Sequence, residues 1–165
     1  MRFLAHRHFA GDPAMSAQDI VAVAIGDPNG IGPEIAVKAA AEFARGDGPQ
    51  TILVGDAFVI EHYARLCAPQ MELVESRAPA PGRITFINVA SLPAGAFQPG
   101  RIEADAGRAM TEYLAAAMAF VKAGGAKAIV GCPHNETAVH KAGIPFSGYP
   151  SLIARLSDVD EDSVF

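Results

Sequence analysis

The sequence predicts an α/β fold, a parallel sheet covered by helices on both faces in three α/β/α layers. Short apolar runs of strand length alternate along the chain with longer segments of helical periodicity. The composition is aliphatic: half of the 165 residues are hydrophobic, only 7% are aromatic, and Trp is absent. Strands buried on both faces call for such residues. Sixteen Gly and twelve Pro fall largely between the apolar runs, where turns are needed.

Ile20–Ile25 (IVAVAI) is a continuous apolar run that predicts the first buried strand. The loop GDPNGIG follows, and Pro33 with Glu34 opens a helix to about Ala44. Thr51–Gly55 predicts a second strand. Asp56 then stands where a helix N-cap is expected, before AFVIEHYARLC with Phe58, Val59, Tyr63 and Leu66 on its apolar face. Met71–Glu75 and Ile84–Ala90 read as further strands, separated by the surface loop RAPAPGR. LPAGAFQPGRI is rich in turn residues and reads as a loop. Glu103–Ala123 is the longest helix, with Met110, Leu114, Met118 and Val121 at steps of three and four, ended by Gly124 and Gly125. Lys127–Cys132 is a strand, CPHNETAVHKAGIPFSGYPSL a loop–helix–loop from its carboxyl end, and Pro150–Leu156 a short helix.

Residues 1–19 read as an N-terminal extension without fixed structure, and Met15 offers an alternative start. His6 and His8 lie in that tail and receive no metal role. Residues 20–165 are expected to form a first α/β domain that is incomplete. Val164 and Phe165 follow an acidic turn as the next strand would begin, so the sheet should expose an unpaired edge. One face of the Glu103–Ala123 helix should then be partly uncovered.

The formal charge is −5, with Lys and Arg scattered singly, which argues against a nucleic-acid partner. Cys67 and Cys132 are far apart, form no metal or disulfide pattern, and fit a reducing compartment. No apolar run reaches the ~18 residues of a membrane span, and the N-terminus lacks the core of a signal peptide. A cytoplasmic location is the expectation.

In parallel sheets ligands gather outside the carboxyl ends of the strands. Two segments leave strand ends rich in Gly and polar residues. The first, Gly26–Glu34, matches neither common phosphate-loop spacing, yet feeds a helix N-terminus. Asp27 and Glu34 oppose a purely anionic ligand there. A tight turn with ordinary capping and a site loop built on Asp27, Asn29, Gly30, Gly32 and Glu34 both fit. In the second, Cys132–Ser151, His134 and Asn135 sit at the strand end and are the candidate functional residues. His140 and Lys141 read as the solvated face of a short helix. The spacing of His134 and His140 is not that of a zinc helix, and no nucleophile elbow is present.

VAIGDPNGIGPEI (Val23–Ile35) resembles the N-terminal signature of the 4-hydroxythreonine-4-phosphate dehydrogenase family, and CPHNETAVHKAGIPFSGYPSL (Cys132–Leu152) is similar to its second signature. Two separated motifs in the same order make the resemblance specific, and it spans residues 20–165. It implies the two-domain fold of isocitrate and isopropylmalate dehydrogenases, and a homodimer. It further implies NAD-dependent, divalent-metal-assisted oxidation of a secondary alcohol next to a carboxylate, with decarboxylation. The family's metal-binding histidines would lie beyond Phe165, so no metal ligand is assigned here and the catalytic residues stay unassigned.

Departures from the family pattern bear on the substrate. Where the phosphothreonine enzymes carry a His-Thr pair after the signature glycine, Gly148 is followed by Tyr149 and Pro150; where they carry a Lys after the Asn, Glu136 stands. Anion-holding donors are exchanged for an aromatic surface and a negative charge. This variant looks like the branch that includes terephthalate cis-dihydrodiol dehydrogenase, which implies a carboxylated cis-dihydrodiol substrate. Tyr149, Pro150, His134 and Asn135 would then line the substrate site. A 4-hydroxythreonine-4-phosphate dehydrogenase of pyridoxal phosphate synthesis and a non-catalytic small-molecule-binding domain of the same fold are the alternatives.

Overall fold

The computed structural model describes residues 20–46 and 48–160. Expectations for residues 1–19 and for the strand start at Val164 and Phe165 therefore lie outside the described residues. The elements are β1 (Ile20–Ala24), α1 (Gly32–Phe43), β2 (Gln50–Gly55), α2 (Ala57–Cys67), β3 (Leu73–Glu75), β4 (Ile84–Asn88), a 3-10 turn (Ala94–Ala96), α3 (Ala104–Lys122), β5 (Ala128–Gly131), α4 (Glu136–Lys141) and α5 (Tyr149–Ser157). Each element read from the sequence is present, with ends displaced by a few residues.

All five strands are parallel, in the order β3-β4-β2-β1-β5. β1 lies between β2, with Val23 opposite Leu53, and β5, with Val23 opposite Val130. The chain first moves one way from β1 and later returns to pair β5 on its other side. Helices α1 and α2 pack together against β2 and β4, whereas α3 packs on β1, β2 and β5 and carries α4 and α5. Right-handed crossovers in opposite directions put their helices on opposite faces. The three-layer α/β/α fold follows.

The core is the aliphatic one expected. Ile25, Ile52, Leu53, Val54, Val59 and Ile60 pack with Met110, Tyr113 and Leu114 at 0–1% exposure. Helix α3 ends in a Schellman motif: the Gly124 N–H donates to Val121, the Gly125 N–H to Phe120, and Gly124 takes φ +78°. α3 approaches α4 closely at Gly107, where a Cβ would stand 2.1 Å from the Ala138 carbonyl oxygen.

Three expectations are corrected. Leu66 is 66% exposed and Ile60 occupies the buried face of α2 in its place, because the sheet covers only one side of that helix. Asp56 holds the N-cap position of α2, but its side chain does not cap. The Ala57 N–H is instead taken by Asn88 Oδ1, while the fully buried Asp56 carboxylate accepts from the Ser91 and Leu92 N–H groups and the Tyr113 hydroxyl. No large apolar side chain of α3 is strongly exposed, since α4 and α5 pack on that helix. Exposed apolar side chains on the opposite face include Ile35 and Phe43 of α1, beside Val130 of β5, which is an edge strand among the described residues.

Candidate functional site

Strand order reverses between β1 and β5, and the crevice outside the carboxyl ends of such a pair is where open α/β sheets take ligands. The loop after β1 is Ile25–Ile31 and the loop after β5 is Cys132–Asn135. Both candidate segments thus meet at the switch point. They are joined there through backbone: Cys132 N–H donates to Ala24, and Asp27 N–H donates to Pro133 at 3.0 Å.

The first loop is shaped by its glycines. Gly26 has φ +77°, and a Cβ on it would stand 2.3 Å from the Pro133 carbonyl oxygen. A Cβ on Gly32 would stand 2.4 Å from the Ile25 carbonyl oxygen. Backbone of the protein itself therefore fills the space that these glycines leave, and no nucleotide cradle is formed by them. Gly30 N–H donates to the Asp27 carbonyl, and Asp27 Oδ1 accepts the Asn29 N–H at 2.9 Å, closing an Asx turn. Asp27 is 3% exposed, and burial raises its carboxyl above the ordinary range against the opposing pull of the Asn29 N–H.

Asn29 is also buried, and its polar atoms are spent inside the protein. Its Oδ1 accepts from Gln98 N–H, its Nδ2 donates to Ala96, and its carbonyl accepts from Gly100 N–H. It fastens the first loop to the turn-rich segment before α3. Glu34 stands in the first turn of α1 and pairs with Lys38 at 2.5 Å. Of the residues expected in the first segment, Asp27, Asn29, Gly30 and Gly32 hold the loop together, while Glu34 sits apart in a surface ion pair.

In the second segment, burial pushes the Cys132 thiol up to about 11. The Asn135 Oδ1 accepts the Ala138 N–H at 3.0 Å, so Asn135 is the side-chain cap of α4. Tyr149 begins α5, with the exposed Pro150 next to it. The Tyr149 hydroxyl donates to the Cys132 carbonyl at 2.5 Å, and its ring lies over Gly131, where a Cβ would stand 2.9 Å from Cζ. Desolvation, with the Cys132 and Asp27 charges adding, raises the Tyr149 phenol well above its ordinary value.

The half-buried His134 ring packs edge-on with two aromatic rings, 4.5 Å from Tyr149 and 4.9 Å from Phe146 by centroid, and these two touch each other at 6.4 Å. Neither of its ring nitrogens has a hydrogen-bond partner among the described residues. Phe146 is itself held, because its carbonyl lies 2.7 Å from His140 Nε2. His140 is exposed as expected but has this specific task, and Lys141 donates to the Ile102 carbonyl. Phe146 escaped the sequence reading because nothing in AGIPF marks it as the neighbour of a histidine twelve positions earlier. No group of three His, Cys, Asp or Glu among the described residues could hold a metal ion.

The chain is 37% identical over 145 residues to a 1,2-dihydroxy-3,5-cyclohexadiene-1,4-dicarboxylate dehydrogenase of Comamonas sp., covering 88% of this chain and 43% of that protein. A crystal structure of a terephthalate 1,2-cis-dihydrodiol dehydrogenase from Burkholderia xenovorans LB400 superposes with a TM-score of 0.74 at 45% identity, covering 88% of this chain and 42% of that one. A 4-hydroxythreonine-4-phosphate dehydrogenase from Burkholderia phymatum superposes with a TM-score of 0.77 at 26% identity, covering 87% and 44%. The chain thus spans somewhat under half the length of the relatives it matches. The family described as pyridoxal phosphate biosynthetic protein PdxA matches residues 47–165, and the chain belongs to that family.

Proposed function

We propose that this chain carries part of the substrate site of a dehydrogenase acting on a carboxylated cis-dihydrodiol. The observation that carries this reading is the aromatic group of His134, Phe146 and Tyr149 at the carboxyl end of β5. A flat six-membered ring packs well against ring edges and faces, whereas a phosphate would need free donors, and here the Tyr149 hydroxyl is committed to the Cys132 carbonyl and Pro150 has none. Relatives bearing dihydrodiol names reach 37% and 45% identity, against 26% and 31% for two 4-hydroxythreonine-4-phosphate dehydrogenases and 34% for a D-threonate 4-phosphate dehydrogenase. Both support the reading.

NAD as hydride acceptor, assistance by a divalent cation, loss of carbon dioxide and a cytoplasmic homodimer belong to the same proposal for the whole protein. Among the described residues, no helix is long and apolar enough to cross a membrane.

The test is an assay of the intact gene product with NAD and the cis-dihydrodiol of terephthalate, with and without chelator. NAD reduction with carbon dioxide release, lost on chelation, is expected. Preferential oxidation of 4-phosphooxy-threonine would overturn this substrate assignment in favour of the phosphothreonine reading.

A further inference from the structure

We propose that His134 is the group that recognises a substrate carboxylate, and that Tyr149 and Phe146 are positioning residues that act through it. The inference rests on the substrate reading above and assigns roles within it. Tyr149 has little hydrogen-bonding capacity left to offer a carboxylate. Its hydroxyl is committed to the Cys132 carbonyl, and its ring is pressed on Gly131 and against the imidazole. The Asn135 oxygen is committed to capping α4. His134 differs from both. Its imidazole is clamped by two ring contacts, yet among the described residues its nitrogens have no partner and the side chain is only half buried.

A clamped ring has little rotamer freedom left to lose when a ligand arrives, so its N–H donates at a reduced entropic cost. Imidazole donates in either protonation state, which suits an anionic oxygen acceptor. The clamp is in turn braced from below. His140 Nε2 meets the Phe146 carbonyl on one side, and the Tyr149–Cys132 hydrogen bond fixes the other. The two histidines thus have separate tasks, His140 in the scaffold and His134 with its ring nitrogens unpartnered among the described residues.

The experiment follows the ¹³Cε1 signal of His134 in the intact protein while terephthalate, the available aromatic dicarboxylate, is added. Terephthalamide, its neutral isostere, is the control. The His134 signal should move saturably with the dianion, and the diamide should bind roughly 10- to 100-fold more weakly. His134→Gln should remove that preference. Tyr149→Phe should keep most of the affinity for terephthalate, Tyr149→Ala should lose about 5- to 50-fold, and His134→Gln combined with Tyr149→Ala should be no weaker than His134→Gln alone. Thermal melts confirm that each variant folds, and the wild-type titration needs no variant. An unmoved His134 signal, or equal binding of dianion and diamide, would overturn the carboxylate assignment. Additive losses in the double variant would overturn the positioning role. Failure of the dihydrodiol assay alongside a positive titration would sink the substrate reading alone, whereas diol oxidation with an unchanged KM in His134→Gln would sink this inference alone.

Discussion

The main-chain N–H of Asp27 donates to the carbonyl oxygen of Pro133 at 3.0 Å, which fuses the loop after β1 to the loop after β5. The two segments are a hundred residues apart in sequence and share one backbone seam. Several measurable consequences arise from this seam and the polar groups around it.

Gly26 is the residue that lets the seam close. Gly26→Ala must hold a side chain at φ +77° with its Cβ 2.3 Å from the Pro133 oxygen. The left-handed conformation alone costs about 1–2 kcal/mol, and the backbone contact adds to it. Gly82 is the control, with φ +73° and open space around it. Urea unfolding should show a loss of about 1 kcal/mol for Gly82→Ala and at least twice that for Gly26→Ala. Equal losses would mean that the seam yields freely.

Asp27 sets a pH dependence. Burial raises its carboxyl above the ordinary value of 3.8, so the native state holds this proton to a higher pH than the unfolded chain does. Its contribution to stability is therefore fully present below about pH 4 and is lost as pH rises through the folded value. Asp27→Asn keeps an oxygen for the Asn29 N–H and removes the buried charge. The variant should melt higher than the parent at pH 7, with the difference shrinking toward pH 3. A difference that grows in acid would contradict the assignment.

Tyr113 supplies one of three donors to the fully buried Asp56 carboxylate. Desolvation, followed by the Asp56 charge, raises its phenol far above the ordinary value, so it stays a donor across the accessible pH range. Tyr113→Phe preserves the ring and should cost about 1–3 kcal/mol in chemical denaturation. A neutral result would mean that the Ser91 and Leu92 N–H groups satisfy the carboxylate by themselves.

Cys132 should be a slow thiol. With burial pushing it up to about 11, only about one molecule in ten thousand carries the thiolate at pH 7. Alkylation by iodoacetamide, followed by mass spectrometry, should rise about tenfold per pH unit between pH 7 and 10. Fast labelling at pH 7 would show that the β5 end opens.

The fold was largely legible because strand and helix periods are local properties. IVAVAI, TILVG and the long amphipathic pattern around Met110 and Leu114 each declare their element without help from the rest. The switch point was legible as well, since strand ends rich in Gly and polar residues are visible in the chain. The ties that shape the site were not. Asn29 spends its side chain on residues 67 and 69 positions away, and no spacing rule reaches that far. Asp56 fits an N-cap pattern, yet a buried hydroxyl and two loop amides compete better for its oxygens than the helix does. Leu66 obeys the helical period but falls beyond the width of the sheet that α2 covers. Long-range packing decides such cases.

The Tyr149 ring over Gly131 has a consequence for how the sequence can drift. A side chain at 131 would meet Cζ of a ring that is pinned by both Cys132 and His134 and cannot swing aside cheaply. The two positions must therefore change in order, with 149 shrinking before 131 can grow. A lineage that has acquired a bulky residue at 131 cannot regain the tyrosine in one step, so the pair acts as a ratchet between alternative forms of this crevice.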